Sequence, residues 1–312
     1  MKYIPKFSVV IAVYNQANSI HKSISSVIEQ HYPAEEIIVV DDGSTDDIVN
    51  KIKAIDHPNI RLLSQTHQGS SAARNNGVKL TRNRYIAFLD ADDIWSPFYL
   101  EKMKALILRF PKSKLFAANY QKIIAEDDFI NPKISLEHIP PNGCLLKNYF
   151  RVVSQGDHPF TMSSSIIHRQ LFKHIGGFSQ NDSLGADLAL FSESALSTNI
   201  AYSPLVLLSC GAKQTDETQT NHLPDTIMPF AQKLLDRAEG FPTELHADID
   251  RYCSTQLCRL AAQHLRLGCA SKALALLSHK ASRKQPLRWL LLSIWSLVVK
   301  VSKPRKWRPK LP

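Results

Sequence analysis

The stretch Arg84–Pro97, R-Y-I-A-F-L-D-A-D-D-I-W-S-P, decides the fold of this chain. It begins with a short apolar run, Y-I-A-F-L, that predicts a buried β-strand, and its proline predicts the start of a helix. Between them stand three carboxylates: Asp90, Asp92 and Asp93. Acids at the carboxyl end of a parallel strand lie where open α/β sheets bind ligands. The stretch therefore predicts a ligand site, and an acidic turn that only caps the next helix is the alternative.

Strand and helix patterns alternate through the first hundred residues. Apolar runs of strand length occur at Phe7–Val13, Ile37–Val40 and Ile60–Leu63, and a helical pattern follows each of them. Short connections between alternating elements predict an α/β fold with a doubly wound parallel sheet. Three of the strands end in polar clusters, which meet at one edge of such a sheet: Tyr14 with Asn15, Asp41 with Asp42, and the three acids after the central strand.

These clusters have the chemistry of a nucleotide-diphosphate site. Carboxylates can accept hydrogen bonds from a base or a ribose, and the guanidinium fork of Arg74 suits a diphosphate. Three neighbouring carboxylates repel one another unless a cation lies among them, and oxygen ligands suit Mg²⁺ or Mn²⁺. The glycine-rich signatures of dinucleotide and ATP loops are absent from the sequence.

Four segments in order resemble the successive motifs of the family 2 glycosyltransferases: S-V-V-I-A-V-Y-N, I-I-V-V-D-D-G-S-T-D, G-S-S-A-A-R-N-N-G and Y-I-A-F-L-D-A-D-D-I-W. The resemblance is strong over residues 7–110 and can be followed to about residue 210. It implies the GT-A fold, a Rossmann-like, mostly parallel sheet flanked by helices. It also implies an enzyme that takes a sugar from a nucleotide-diphosphate sugar.

The resemblance assigns roles to individual residues. By similarity, Asp92 together with Asp90 binds a divalent cation, Mn²⁺ or Mg²⁺. Many members of the family have proline where this chain has Ala12, a change that affects backbone stiffness more than chemistry. The nucleotide part of the donor would contact five residues: Ala12, Tyr14, Asp41, Arg74 and Asp90.

A candidate general base follows the turn Gly176–Phe178, which matches a glycine-glycine-phenylalanine turn of the family. In the family this turn precedes an acidic pair that opens a helix near the acceptor. Here the pair reads Ala186-Asp187, so the resemblance implies Asp187 as the base. A helix-terminal acid favoured only by the macrodipole is the alternative. Asp182 and Glu193 are weaker candidates for the base.

The C-terminal end of the chain differs in charge from the rest. From Arg251 onward there are 14 Lys and Arg and no Asp or Glu, whereas the preceding residues carry a net charge of −4. Helical patterns dominate after residue 224. The sequence predicts a GT-A domain at 1–224, with a nucleotide-binding half at 1–110 and an acceptor half at 111–224. A helical, basic C-terminal extension is predicted at 225–312.

The apolar run Leu287–Val301 predicts a helix with a narrow polar stripe of Ser293, Ser296 and Lys300. Such a helix is about 22 Å long, too short to cross a bilayer. Its tryptophans, with Trp307 and the Lys/Arg cluster beyond it, suit an interfacial helix on an anionic membrane surface. A core or dimer helix is the alternative. Nucleic acid is excluded as a partner because the sheet edge is acidic and no stacking platform is evident.

The predicted location is cytoplasmic and peripheral on the inner face of the cell membrane. Five scattered cysteines and the lack of a signal-peptide pattern favour a reducing compartment.

The predicted function is inverting transfer from a UDP-sugar to a hydroxyl of a glycan or lipid-linked acceptor. The Q-x-x-R-W signature of processive synthases is absent, which favours one sugar per encounter. A non-catalytic nucleotide-sugar-binding protein of a polysaccharide assembly is the alternative, supported by Ala186 in place of an acid. Nucleotidyl transfer is a third reading, disfavoured because the loop after the first strand is neither glycine-rich nor basic.

Overall fold

The computed structural model divides the chain into two compact units, Met1–Gln214 and Thr215–Pro312. The sequence placed the boundary between domain and extension a few residues later, at 224. The structure describes residues 3–125, 128–136, 139–180, 185–211 and 223–301, with side chains as far as Val299.

Within these described residues, ten strands form one sheet in the first unit. In chain order they are β1 (Phe7–Val13), β2 (Glu36–Asp41), β3 (Ile60–Ser64), β4 (Tyr85–Asp90), β5 (Ile94–Trp95), β6 (Leu115–Ala125), β7 (Asp128–Ile130), β8 (Cys144–Leu146), β9 (Ser165–His168) and β10 (Ile200–Cys210). The strand order is β3-β2-β1-β4-β9-β6-β10-β5, while β7 pairs with β6 and β8 with β10.

Helices flank this sheet, and two of them carry residues of the candidate site. The helices of the first unit are α1 (Ile20–Ile28), α2 (Ile48–Lys53), α3 (Ser70–Leu80), α4 (Tyr99–Arg109), α5 (Tyr149–Gln155), α6 (Arg169–His174) and α7 (Ala186–Ser197). The 3-10 turn Met162–Ser164 leads into β9. The predicted helix at Pro97 begins two residues later, because Ile94 and Trp95 first form β5 against β10.

The N-terminal half of the sheet is parallel, as the sequence predicts. Strand β1 runs parallel to both β2 and β4, and β2 runs parallel to β3. All residues of β2 are buried, as are all but one of β1, which explains their unbroken apolar runs. The parallel arrangement brings the carboxyl ends of β1, β2 and β4 to one edge.

The other half of the sheet keeps a parallel pair, β6 with β10, but includes antiparallel strands, so the sheet as a whole is mixed. Strand β9 lies between β4 and β6 and is antiparallel to both. The turn that precedes β9 holds Ser163 against the last residue of β4, Asp90. The chain therefore enters β9 from the carboxyl edge and can only run back along β4.

The second unit is helical, as predicted, with α8 (Pro229–Ala238), α9 (Thr243–Arg266), α10 (Ala270–Ser278) and α11 (Pro286–Val301). Its apolar core includes one face of α9, where the following residues are buried: Leu257, Leu260, Ala261, His264 and Leu265. Among the described helices, none combines the length and the apolar character needed to cross a bilayer.

Candidate active site

The strand register brings the predicted polar clusters together. Ala12, near the end of β1, pairs with Asp90 of β4 on one side, and Val13 pairs with Asp41 of β2 on the other. Tyr14 follows directly and is exposed at this edge. Residues predicted to contact a nucleotide from three separate motifs therefore lie on three adjacent strand ends.

Hydrogen bonds join the loops after β1 and β2. Asn15 has a left-handed backbone, φ +51°, and its side-chain oxygen accepts from the Thr45 N–H at 2.8 Å. The Asn15 N–H donates to Ser44 Oγ at 2.9 Å, and the Ser44 N–H donates to Asp41 Oδ1 at 3.0 Å. Asp41 is buried, with one carboxylate oxygen engaged by its own turn.

Asp42, the neighbour of Asp41, organises the loop before α3. Its buried carboxylate accepts from the Gln68 N–H at 2.9 Å, the Gly69 N–H at 2.8 Å and Gln65 Nε2 at 2.7 Å. The Nδ1 atom of His67 lies 3.0 Å from Oδ2 of the same carboxylate. Sequence reasoning did not single out this role, since D-D-G-S-T-D does not show which acid faces the neighbouring loop.

Tyr14 and His67 form an aromatic pair on the surface beside Asp41. Their rings are 4.2 Å apart between centroids and tilted by 31°, and both side chains are about half exposed. An exposed flat pair of this kind offers a face on which a nucleobase can stack. The sequence predicted Tyr14 for this place but missed His67, whose only signal was its position in the loop that leads to α3.

Arg74 connects the two halves of the candidate site. Its buried guanidinium donates through Nη2 to Asp90 Oδ1 at 2.6 Å and through Nη1 to Asp187 Oδ1 at 3.0 Å. The Phe178 ring lies beneath it at 5.3 Å. Burial by itself lowers the pKa of Arg74, but the charges of Asp187 and Asp90 raise it above its usual value. Arg74 was predicted for the diphosphate, and here it lies between two carboxylates.

The residue after Arg74 fixes the glycine-glycine-phenylalanine turn. The Asn75 amide donates to the Phe178 carbonyl at 2.8 Å, and the Phe178 N–H donates back to Asn75 Oδ1 at 3.0 Å. Gly177 has φ +74°, and a Cβ there would lie 2.7 Å from Asn75 Oδ1. Only glycine combines this backbone with so close an approach, so α3 holds the turn Gly176–Phe178 in place.

Asp187 lies in the first turn of α7, immediately after Ala186, which is buried. The Asp187 side chain is 37% exposed, so solvent or substrate can reach it. Glu193 is six residues further along the helix, about 240° around its axis, and points elsewhere. Asp182 lies outside the described residues. The structure therefore brings Asp187, and not Glu193, to the acids of β4.

The acids that end β4 crowd one another. Asp93 is buried, and burial together with the charges of Asp90 and Asp92 raises its pKa to about 7. Hydrogen bonds from the Ser163 hydroxyl and from the Gly211 N–H, the latter at 3.0 Å, offset part of this effect. Ser163 and Gly211 come from distant segments, and nothing in the sequence marked them.

This carboxylate cluster has the donor chemistry of a hard divalent cation. Among the described residues, no three His, Cys, Asp or Glu side chains are grouped as a ready metal site. Burial is the main cause of the raised pKa of Asp93, and the charges of Asp90 and Asp92 add to it; a cation beside these two acids would relieve that added repulsion. Since Mg²⁺ and Mn²⁺ sites of this kind are completed by phosphate oxygens and water, two carboxylates fit the group.

Comparison with known proteins gives a family and named relatives. The family model described as Glycosyl transferase family 2 matches residues 8–176, more than half of the chain. A relative from Escherichia coli, the UDP-Glc:alpha-D-GlcNAc-diphosphoundecaprenol beta-1,3-glucosyltransferase WfgD, is 35% identical over 142 residues, 45% of this chain and 55% of that protein. The chain spans 17% to 55% of the length of the curated relatives it matches.

Solved structures share the fold. TarS 1-349 of S. aureus in complex with UDP-GlcNAc has a TM-score of 0.63 at 15% identity, covering 93% of this chain and 90% of that one. The mannosyltransferase PcManGT of Pyrobaculum calidifontis, in complex with GDP-Man and Mn²⁺, has a TM-score of 0.52 at 18% identity, with 96% and 87% covered. At these identities the likeness shows a common GT-A fold.

Proposed function

The chain belongs to glycosyl transferase family 2, and from this premise we propose that it moves a sugar from a UDP-sugar to an acceptor hydroxyl with inversion at the anomeric carbon. Family and fold support a glycosyltransferase that uses a nucleotide-sugar donor. The choice of UDP, the cation and the general base are the finer parts of the proposal.

The observation that carries the proposal is the double contact of Arg74. One guanidinium holds Asp90, at the donor edge of the sheet, and Asp187, at the start of α7. A general base must lie beside the acceptor hydroxyl and close to the anomeric carbon of the donor. Two carboxylates on one guanidinium satisfy this requirement, although they are 97 positions apart in the sequence.

In the proposed reaction Asp187 takes the proton of the acceptor hydroxyl. The hydroxyl oxygen then bonds to the anomeric carbon as the bond from that carbon to the diphosphate oxygen breaks, so the electron pair leaves with the diphosphate. Arg74 holds Asp187 in position, and Asn75 holds the turn that precedes it. The half-exposed position of Asp187 lets an acceptor approach it.

The donor would lie along the strand ends. The rings of Tyr14 and His67 would stack on the nucleobase, and Asp41 would accept a hydrogen bond from an N–H of that base. Ala12 would line the bottom of the nucleotide site beside Asp90. Asp92 and Asp90 would hold Mn²⁺ or Mg²⁺, which, when bound, supplies positive charge to the leaving diphosphate.

The acceptor half and the location are proposed from the relatives. WfgD is named for a diphosphoundecaprenol-linked acceptor, so we propose a lipid-linked or glycan acceptor bound by residues 111–224, with the donor on residues 1–110. Such an acceptor places the enzyme peripherally at the inner face of a bacterial cell membrane. Residues 225–312 would form the extension that contacts this membrane.

Thermal stabilisation by nucleotides tests the donor site. We expect UDP with Mn²⁺ to raise the Tm, UDP alone to raise it less, and Asp92→Asn to remove the metal-dependent part, because ligands that bind only the native state stabilise it. Asp128→Asn, on an exposed strand, is the matched control. A shift with GDP in place of UDP would change the donor, and no shift with any nucleotide would refute the site.

Turnover tests the base. We expect Asp187→Asn to stop transfer and donor hydrolysis while the UDP-dependent Tm shift remains, since the base does not hold the nucleotide. Glu193→Gln, on the same helix, should keep activity. If wild-type protein binds the donor but neither hydrolyses nor transfers it with any acceptor tested, the non-catalytic alternative replaces this proposal.

A further inference from the structure

Helix α11 presents its apolar face to solvent. Trp289, Leu292 and Val299 pack on the core of the second unit, and Ser296 on the same side is fully buried. The indole Nε1–H of Trp289 donates to the Leu277 carbonyl at 2.8 Å. Six large apolar side chains face outward and are 49% to 79% exposed: Leu287, Leu290, Leu291, Ile294, Leu297 and Val298.

This orientation reverses the usual arrangement of an amphipathic helix. Ser293 and Ser296 satisfy their hydroxyls on the helix itself, donating to the carbonyls of Trp289 and Leu292 at 2.8 Å each. These serines can therefore turn toward the protein without losing hydrogen bonds. The spacing of the exposed residues is that of one continuous helical stripe. We call this stripe of six residues the leucine ridge.

A contiguous apolar stripe of this size marks an interaction surface. We propose that the leucine ridge is a membrane-docking surface. In this arrangement α11 lies flat on an anionic bilayer, with the apolar side chains of the ridge inserted between the lipids. Sixteen residues reach only about 24 Å, so the helix suits the plane of the interface and not a crossing of it.

The positive charge around the leucine ridge favours an anionic membrane as its partner. Arg288 lies at the edge of the ridge, and Lys272, Lys280 and Arg283 are exposed on the same unit. No acidic residue occurs in the sequence from Arg251 to the end, and five further Lys and Arg follow α11. Basic residues beside an apolar helix face match anionic headgroups, each adding about 1 kcal/mol of attraction.

Other occupants fit less well. A second copy of the chain would place the same basic residues against each other, and like charges oppose such pairing. The residues that follow Val301, S-K-P-R-K-W-R-P-K-L-P, are mostly basic or proline and offer little apolar surface to cover the ridge. A bilayer supplies both an apolar layer and negative charge.

Vesicle flotation of the full chain tests the proposal. We expect the wild-type protein to float with vesicles that mix phosphatidylcholine and anionic phosphatidylglycerol, and to float much less with phosphatidylcholine alone. Leu291→Glu should lower binding to the anionic vesicles about tenfold or more, because it places a charge within the inserted face. Leu287→Glu, at the first turn of α11, serves as a second variant if the first does not fold.

Leu267→Glu is the matched control, since Leu267 is exposed on the same unit but lies outside the ridge. It should bind as wild type. Equal loss in Leu267→Glu and Leu291→Glu would mean binding by charge alone and would overturn the proposal, as would absence of binding by wild type. A wild-type protein that is dimeric in solution, and that Leu291→Glu converts to a monomer, would instead assign the leucine ridge to contact with a second copy of the chain. The test involves no turnover, so its outcome is independent of the proposed reaction.

Discussion

Asp42 and Asp93 are buried acids just beyond the carboxyl ends of β2 and β4, yet their surroundings differ. Asp42 accepts hydrogen bonds from two backbone N–H groups and from one side-chain amide. Asp93 lies beside Asp90 and Asp92, and burial with these charges raises its pKa to about 7. An aspartate that accepts hydrogen bonds from a neighbouring loop stabilises that loop, whereas the charge of an aspartate buried among other carboxylates is opposed by its surroundings.

The largest expected effect concerns the crowded acids. Asp92→Asn should lower turnover about a thousandfold or more, because it removes an oxygen ligand from the proposed cation and leaves the diphosphate charge uncompensated. Release of UDP from a UDP-sugar, with saturating Mn²⁺, measures the loss. Asp128→Asn should leave the rate unchanged. Wild-type turnover in Asp92→Asn would place the cation elsewhere.

The substitution Asp42→Asn should destabilise the protein. An asparagine there can accept through one oxygen only and turns an NH₂ group toward N–H donors of the loop, at a cost of about 2 kcal/mol in the free energy of unfolding. Denaturant unfolding of Asp42→Asn against Asp128→Asn checks this. A stability equal to wild type would show that the loop between β3 and α3 does not depend on Asp42.

Asp93→Asn should change the free energy of unfolding in the opposite direction. The pKa of Asp93 is about 7 in the folded protein and about 3.9 in an unfolded chain. Between these values the folded state binds more protons, so the free energy of unfolding of the wild type falls as pH rises from about 4 to about 7. Asparagine has no acidic proton to lose, so Asp93→Asn should not lose stability over this pH range and should be more stable than the wild type above pH 7.

Thermal unfolding from pH 5 to pH 8 in EDTA measures this difference, with Asp128→Asn as the control that should follow the wild type. Parallel pH profiles for Asp93→Asn and wild type would contradict the raised pKa. Mn²⁺ should stabilise the wild type at pH 8 in the presence of UDP, because the cation relieves the same repulsion.

The smallest effect is expected at the aromatic pair beside these acids. His67→Ala removes one ring of the stack with Tyr14 and its contact with Asp42, and it should weaken UDP binding by a few fold, on the order of 1 kcal/mol. Calorimetric titration with UDP and Mn²⁺ gives the affinity. His57→Ala, in the loop before β3, is a control that should bind normally. Equal affinities in both variants would remove His67 from the base site.

Much of the first unit could be predicted from the sequence because its signals are local. A strand buried on both faces is an unbroken apolar run, and the observed bounds of β1 are those predicted. The family, the fold and the positions of Tyr14, Asp41 and Asp90 at one edge follow from motif order. The assigned roles of these residues stay predictions until binding and turnover are measured.

Contacts between distant segments could not be predicted in this way. Ser163, His67 and Gly211 have no pattern around them, and each gains its place only when another segment packs against it. The serine stripe of α11 is an instructive case. The sequence predicts it as the polar face of the helix, whereas the structure turns Ser296 inward because the hydroxyl is satisfied by its own helix.

By itself, the sequence determined the parallel N-terminal sheet, the acids at its strand ends and the basic helical extension, since hydrophobic period and charge are properties of neighbouring residues. The tertiary structure alone decided that Arg74 joins Asp90 to Asp187 and which face of α11 meets solvent. It also decided that Asp42 accepts hydrogen bonds from the loop before α3 while Asp93 lies among other carboxylates. Each of these depends on which groups meet in space, and the energy of a buried charge is set by the groups that surround it.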